Sequence, residues 1–454
     1  MNVPRKTPTD ASNSHGEPCI IRMTPQLMEK ANTRNVRMAR TNFIAHSVAF
    51  FVSDASASRG LSGLGRMDFP LPIRIGSSII RPMKFIYALL LLVGFNASAQ
   101  IERFYVGTYT DKSPSQGIYV GTLDVATGKL GPLELATPAK NPSFLALTPN
   151  GKYLYAVTST NGGSVAAYRV EADGHLARLN DLPTGNGGCH VAVDAKGRNV
   201  FVANYGGGSI ASFQTQTNGA LEKRIALIPF TGTGPDQKRQ TKPYAHSTYT
   251  DASNRHLYAC DLGTDSVWLF DLDAQTGTLV PANPPSAKVP PGSGPRHLAF
   301  SSEQSFAYVN GEMGMNVTAF VHNRKTGALT AMQTVSSLPP DVDSNGMTTA
   351  EIFCHPSGKW LYVSNRDVVG RGRDSLTVYS IGAHGKLTWL QNAPAGVKVP
   401  RGFNIDPTGR WLIVGGQSDN QITAHRIDAV TGKLSPTGQT VAVGAPVCVI
   451  FAGR

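Results

Sequence analysis

FLALTPNGKYLYAVTST (residues 144–160) sets the pattern of the chain: a short β-type run, a tight turn at Gly151, and a second β-type run. The phrase returns as HVAVDAKGRNVFVANY (190–205), STYTDASNRHLYACDL (247–262), HLAFSSEQSFAYVNGE (297–312), EIFCHPSGKWLYVSNR (351–366) and GFNIDPTGRWLIVGGQ (402–417). A third β-type run follows each, with a close such as TGTL (276–279), TGAL (326–329) or TGKL (431–434). The turn anchors Gly151, Gly197, Asn254, Gln304, Gly358 and Gly409 recur at about 50 residues, the repeat length of propeller blades.

The two ends of the repeat region supply one more blade. FYVGTYT…GIYVGTLDVATGKL (104–130) offers outer strands without an inner one, and APVCVIFAGR (445–454) is an inner strand with nothing after it. Joined, they close the ring and remove the sheet edges that would template aggregation. The expected fold is all-β, a seven-bladed β-propeller over 101–454. The 47 glycines and 30 prolines are then turn chemistry, not disorder.

Residues 1–82 differ in kind. They carry no repeat, and eleven Lys or Arg against five Asp or Glu place half of the formal +12 charge there. MKFIYALLLLVGFNASAQ (83–100) then reads as a secretory signal peptide: a charged start at Lys84, an apolar stretch too short for a membrane span, and Ala97-Ser98-Ala99 before Gln100. The expectation is a non-native or disordered basic extension over 1–82, a signal peptide over 83–99 with translation starting at Met83, and a periplasmic or secreted mature chain. A real basic extension carrying an internal anchor is the alternative. The mature chain keeps about 30 basic and 25 acidic side chains, which gives no nucleic-acid surface. No membrane span is expected in it, and its state is read as monomer or weak oligomer. Cys189, Cys260, Cys354 and Cys448 fall in different blades without close spacing, so buried free thiols are expected, with no metal site and no cofactor.

Aligned repeats show which residues occupy equivalent places around the axis. A hairpin sets the start of its first strand beside the end of its second. Strand starts carry Ser143, Cys189, His246, Arg296, Ala350 and Arg401; the next positions carry Phe144, His190, Ser247, His297, Glu351 and Gly402. Ends of second strands carry Ser159, Tyr205, Leu262, Glu312, Arg366 and Gln417. Three arginines, two glutamates and three histidines thus collect on one rim of a chain that is only 16% charged, while the opposite rim carries ordinary turn residues. The bland readings stand beside the functional one: Glu312 and Arg366 as an inter-blade ion pair, His190 as a hydrogen-bonded structural histidine, Asn204 as the closure of a strand end. Arg296 and Arg401 favour ligand contact, because arginines crowding a funnel repel one another unless an anion or carboxylates compensate.

Guanidinium groups bind carboxylate or phosphate oxygens and stabilise a developing oxyanion, and a nearby carboxylate or imidazole takes a proton from water. That combination fits hydrolysis of an ester or lactone, or addition and elimination beside a carboxylate. No G-x-S-x-G or H-E-x-x-H motif is present.

YVGTYT (105–110), NPSFLALTPNGKYLYAV (141–157), VFVANYGGGSI (200–210), AHS (245–247), DLGTDSV (261–267), GPRHLAF (294–300), AEI (350–352), LYVSNR (361–366) and PRGFNIDPTGRWL (400–412) resemble the propeller-type 6-phosphogluconolactonase family, which is related to fungal 3-carboxy-cis,cis-muconate lactonising enzymes. The resemblance implies catalytic roles for His246, Arg296, Glu312 and Arg366. Substrate contacts are expected at His190, Asn204, His297, Glu351 and Arg401. It implies hydrolysis of a sugar lactone, 6-phospho-D-glucono-1,5-lactone by default and an unphosphorylated aldonolactone if the chain is exported. A muconate-type cycloisomerase and a non-catalytic binding propeller are the other readings. NGE (310–312) stands where the family has N-E, and Thr158-Ser159 where it has an N-E-like pair.

Overall fold

In the computed structural model the described residues are 100–452, and the expectations for 1–82 and 83–99 lie outside them. Seven antiparallel sheets follow one another, six of four strands each. The seventh joins the chain's ends: strand Pro446–Phe451 pairs antiparallel with Ile101–Thr108, Phe104 opposite Phe451. The ring closes as the sequence predicts. Among the described residues no helix is long and apolar enough to cross a membrane.

Each predicted anchor sits in the left-handed region, from Gln304 at φ 53° to Gly409 at 74°. A two-strand turn of this kind needs positive φ, which glycine adopts without cost and Asn254 and Gln304 adopt at some strain.

A tyrosine of the second strand and the glycine of a GxL outer turn meet each other across blades. The buried hydroxyls of Tyr105, Tyr155, Tyr258, Tyr308 and Tyr362 donate to the carbonyls of Gly174, Gly219, Gly327, Gly385 and Gly432 of the following blade, at 2.7 to 3.0 Å. Where the tyrosine is missing, another donor serves: Asn199 Nδ2 to Ala274 O at 2.9 Å, and Trp411 Nε1 to Val125 O at 2.9 Å across the closing junction. Apolar side chains fill each junction, as with Phe104, Phe451, Trp411 and Ile413 between the last and first blades.

The innermost strands share one irregularity. In five blades the ladder skips a residue near the strand start: Cys189, His246, Arg296, Arg401 and Val447 have no partner across the hairpin. In the sixth, Ala350 and Glu351 share this place between the pairs Thr349↔Asn365 and Ile352↔Val363. A bulge frees one residue from the pleat and re-aims its side chain. Here the repeated bulge frees His246, Arg296 and Arg401 from the pleat.

Candidate active site

Glu312 directly follows the second strand, Phe306–Gly311, of the blade that begins at Pro295, and its carboxylate is the hub of the rim. Its Oε2 accepts from Arg296 Nε at 3.0 Å and from Arg366 Nη2 at 3.1 Å, with His246 Nε2 at 3.9 Å. Its Oε1 accepts from Arg239 Nη2 at 2.6 Å. The four residues expected to be catalytic therefore come from three successive blades and converge on one carboxylate, all buried. The inter-blade pair of Glu312 and Arg366 exists as well, so the structural and functional readings of these residues coincide.

Arg239 is missing from the register. It lies in the connection 230–244 between Pro229 and Ala245, outside every blade, so alignment of repeats has no place for it. The one signal was Lys238-Arg239 in a long inter-blade connection. The neighbouring Gln240 holds that connection down: its buried Nε2 donates to Leu262 O at 2.8 Å and to Asp265 Oδ1 at 2.9 Å. Asp236 Oδ1 accepts from the Lys238 and Arg239 amides at 2.8 and 2.9 Å.

Below the hub lies a row of imidazoles. His297 packs against His246 at 5.2 Å between ring centroids and against His190 at 5.3 Å, and His190 rests on Phe144 at 4.1 Å. His297 Nδ1 is 2.6 Å from Glu351 Oε1, and its Nε2 faces Arg296 Nη1 at 3.2 Å. His190 Nδ1 accepts from the Thr248 amide at 3.4 Å, which suits the structural reading of that histidine. Asn204 is the predicted contact that the structure turns elsewhere. Its Nδ2 donates to Thr184 O at 3.0 Å and Ser209 Oγ at 3.2 Å, so it braces its own strand end.

Burial and charge divide the titrating groups. Burial raises the Glu312 carboxyl, but Arg366, Arg296 and Arg239 outweigh it and hold it at about 2. Glu351 has weaker compensation, and burial pushes its carboxyl up to about 7. Burial, with the nearby guanidinium groups, drives His246 and His297 well below the usual imidazole range, so both are neutral at pH 7. Arg366 falls to about 9 through burial and its arginine neighbours, only partly offset by Glu312.

Several donors remain for a ligand. Arg296 spends Nε on Glu312 and Nη1 on Ala350 O at 2.6 Å, and Arg366 spends Nη2 on Glu312 and on Thr349 O at 2.9 Å. Among the described residues, Nη2 of Arg296 and Nη1 of Arg366 make no hydrogen bond. Arg401 is half-buried, and the Tyr109 ring lies beneath it, 5.7 Å from its guanidinium carbon. Four arginines thus face two carboxylates, and the surplus positive charge calls for an anion or an oxyanion. No group of three or more His, Cys, Asp or Glu among the described residues is arranged to hold a metal ion.

A closed propeller with an arginine-lined polar funnel defines a class that handles small anionic or polarised substrates. The chain belongs to the family described as lactonase, 7-bladed β-propeller, matched over residues 103–451. It is similar to the 6-phosphogluconolactonase of Bacillus subtilis, 34% identical over 351 residues that span 76% of this chain and 97% of that protein. Among solved structures it is similar to a putative 6-phosphogluconolactonase of Bacteroides fragilis (33% identity, TM-score 0.72, 78% of this chain and 99% of that one). It is also similar to the periplasmic gluconolactonase of Pseudomonas aeruginosa (28% identity, TM-score 0.71, 77% and 99%).

Proposed function

We propose that this chain is a sugar lactonase that hydrolyses 6-phospho-D-glucono-1,5-lactone or a closely related aldonolactone to the open acid. The observation that carries the reading is the convergence of Arg239, Arg296 and Arg366 on Glu312 beside a neutral histidine, with guanidinium donors left over. Likeness to the Bacillus subtilis and Bacteroides fragilis proteins supports the phosphorylated substrate. The signal-like stretch 83–99 and likeness to the Pseudomonas aeruginosa periplasmic protein support export and an unphosphorylated one.

The chemistry follows from the groups present. Glu312 is a weak base, since its charge is held by three arginines and both of its oxygens are occupied. His246 takes the base role: it is neutral, its Nδ1 has no hydrogen-bond partner, and the Glu312 carboxylate stands 3.9 Å from its Nε2. Water attacks the lactone carbonyl carbon as His246 takes its proton, and the free nitrogens of Arg296 and Arg366 hold the developing oxyanion. The carbonyl re-forms, the bond to the ring oxygen breaks, and the imidazolium returns the proton to that oxygen. General base assistance contributes about 10² to 10⁴ in rate and one oxyanion donor about 3 kcal/mol.

Acid release from glucono-1,5-lactone and its 6-phosphate, measured by pH-stat beside Arg296→Ala and Glu312→Ala, tests this. Both variants should lose at least about a hundredfold in kcat/KM. Unchanged rates in both would remove the site, and no hydrolysis of either lactone by the parent protein would remove the function.

A further inference from the structure

Beside the funnel mouth, between the last blade and the first, lies an open cavity of about 410 Å³ that the lactonase chemistry leaves unused. Its walls include Tyr109, Asp111, Lys112, Gln417, Ser418 and Asn420. Two of these belong to the mouth itself. Tyr109 carries the Arg401 guanidinium on its ring, and Gln417 ends its second strand at the position that Glu312 and Arg366 occupy in their own blades. Tyr109 is thus shared: its ring lies 5.7 Å from the Arg401 guanidinium carbon and it also lines the cavity.

We infer that this cavity is a glycosyl subsite: the lactone ring sits in the funnel over Arg401, and a sugar linked to it lies between Tyr109, Lys112, Gln417 and Asn420. The inference rests on the lactonase reading of the funnel and names its substrate class as a glycosylated aldonolactone. The volume lies within the range of about 300 to 1,000 Å³ common to small-molecule sites. The wall mixes donors and acceptors, as a polyol site requires. Gln417 Oε1 is buried without a hydrogen-bond partner. Asn420 Oδ1 is taken by the Ala445 amide at 2.8 Å, and among the described residues Asn420 Nδ2, Lys112 Nζ and Ser418 Oγ have no hydrogen-bond partner.

Charge argues against a phosphate in this place. One lysine stands next to the Asp111 carboxylate and the Gln417 carbonyl oxygen, whereas the surplus of guanidinium groups is in the funnel. A hydroxylated ring suits such a mixed wall, and the half-buried Tyr109 ring adds an aromatic surface to it. The backbone supports a shaped cavity as well. Lys112, Asn141, Asn420 and Ala445 all line it with φ between 37° and 60°, in the region that side-chain-bearing residues rarely adopt.

Titration calorimetry on the whole protein with gluconate and with cellobionate, which is gluconate carrying a glucosyl group on O4, tests the subsite without relying on turnover. Cellobionate should bind at least about tenfold more tightly, about 1.4 kcal/mol. Ser418→Trp, at an exposed position with no hydrogen bond to lose, should fill the cavity and erase that preference; Gln417→Leu, which keeps the volume but removes the amide, should weaken it. Equal affinity of the two acids, or a preference that survives both substitutions, overturns the inference. Hydrolysis of gluconolactone without any gain from the glucosyl group would leave the lactonase reading standing and sink the subsite alone. A protein that binds cellobionate tightly yet opens no lactone would do the reverse.

Discussion

Arg239 donates to Glu312 at 2.6 Å from a connection that belongs to no blade, and it is the exposed member of the three arginines on that carboxylate, with 41% of its side chain accessible against 3% for Arg296 and 6% for Arg366. It closes the hub from the solvent side and also meets the Tyr205 hydroxyl at 3.4 Å. The buried pair fixes the carboxylate, and Arg239 completes its charge balance on the side open to solvent.

Arg239→Ala should lower kcat/KM by about tenfold, the loss of a charge-assisted hydrogen bond, with little loss of stability because the side chain is half in water. With one of three compensating charges gone, the Glu312 carboxyl rises from about 2 toward its ordinary 4.5, so the acid limb of the rate profile moves to higher pH. Initial rates from pH 3 to 8 check this; an acid limb that stays in place would show that Arg239 does not act on Glu312.

Glu312→Ala should destabilise the protein by about 3–5 kcal/mol, because two arginines are left buried without their counter-charge. Glu312→Gln restores volume and a hydrogen-bond acceptor but no charge, and should recover only part of the loss. Since the folded-state pKa is depressed, this contribution is fully present above pH 4.5 and fades as pH falls toward 2. Urea denaturation at pH 7 and pH 3 reads it directly: the gap between parent and variant should narrow at the lower pH.

Glu351 carries the opposite sign. Its folded-state pKa is raised to about 7 by burial, so its contribution is present below the ordinary value of 4.5 and is lost as pH rises through 7. Glu351→Gln, which cannot ionise, should therefore gain on the parent protein between pH 5 and pH 8 by up to about 3 kcal/mol. Denaturant midpoints at the two pH values decide the matter; parallel pH dependence of parent and variant would mean that Glu351 is already ionised at pH 5.

Tyr308→Phe removes the hydroxyl that reaches Gly385 O at 3.0 Å in the next blade. It should cost about 1–3 kcal/mol, the penalty of a buried carbonyl left unpaired, and leave the rate at saturating lactone unchanged. A large fall in kcat with no change in unfolding midpoint would contradict a purely structural part for this contact.

Repetition made the blade count and the rim legible in the sequence, because residues equivalent in register are equivalent in space. His246, Arg296, Glu312 and Arg366 were therefore recoverable without coordinates. Arg239 was not, since a connection outside the repeat has no register. Asn204 was placed on the right strand end, but its side chain turns to Thr184 and Ser209, a choice made by local hydrogen bonding that alignment cannot see. The division of labour between Glu312 and Glu351 was equally hidden: both are buried acids, and only the number of guanidinium groups around each separates a carboxyl at about 2 from one at about 7.

The strand Pro446–Phe451 completes the sheet that starts at Ile101, and Tyr109, one residue past that first strand, lies under Arg401. A chain clipped before Pro446 loses the strand that closes this sheet while the other six sheets keep all their strands in sequence. Activity is thereby tied to chain integrity: a molecule that has lost its final dozen residues should be silent long before it is unfolded.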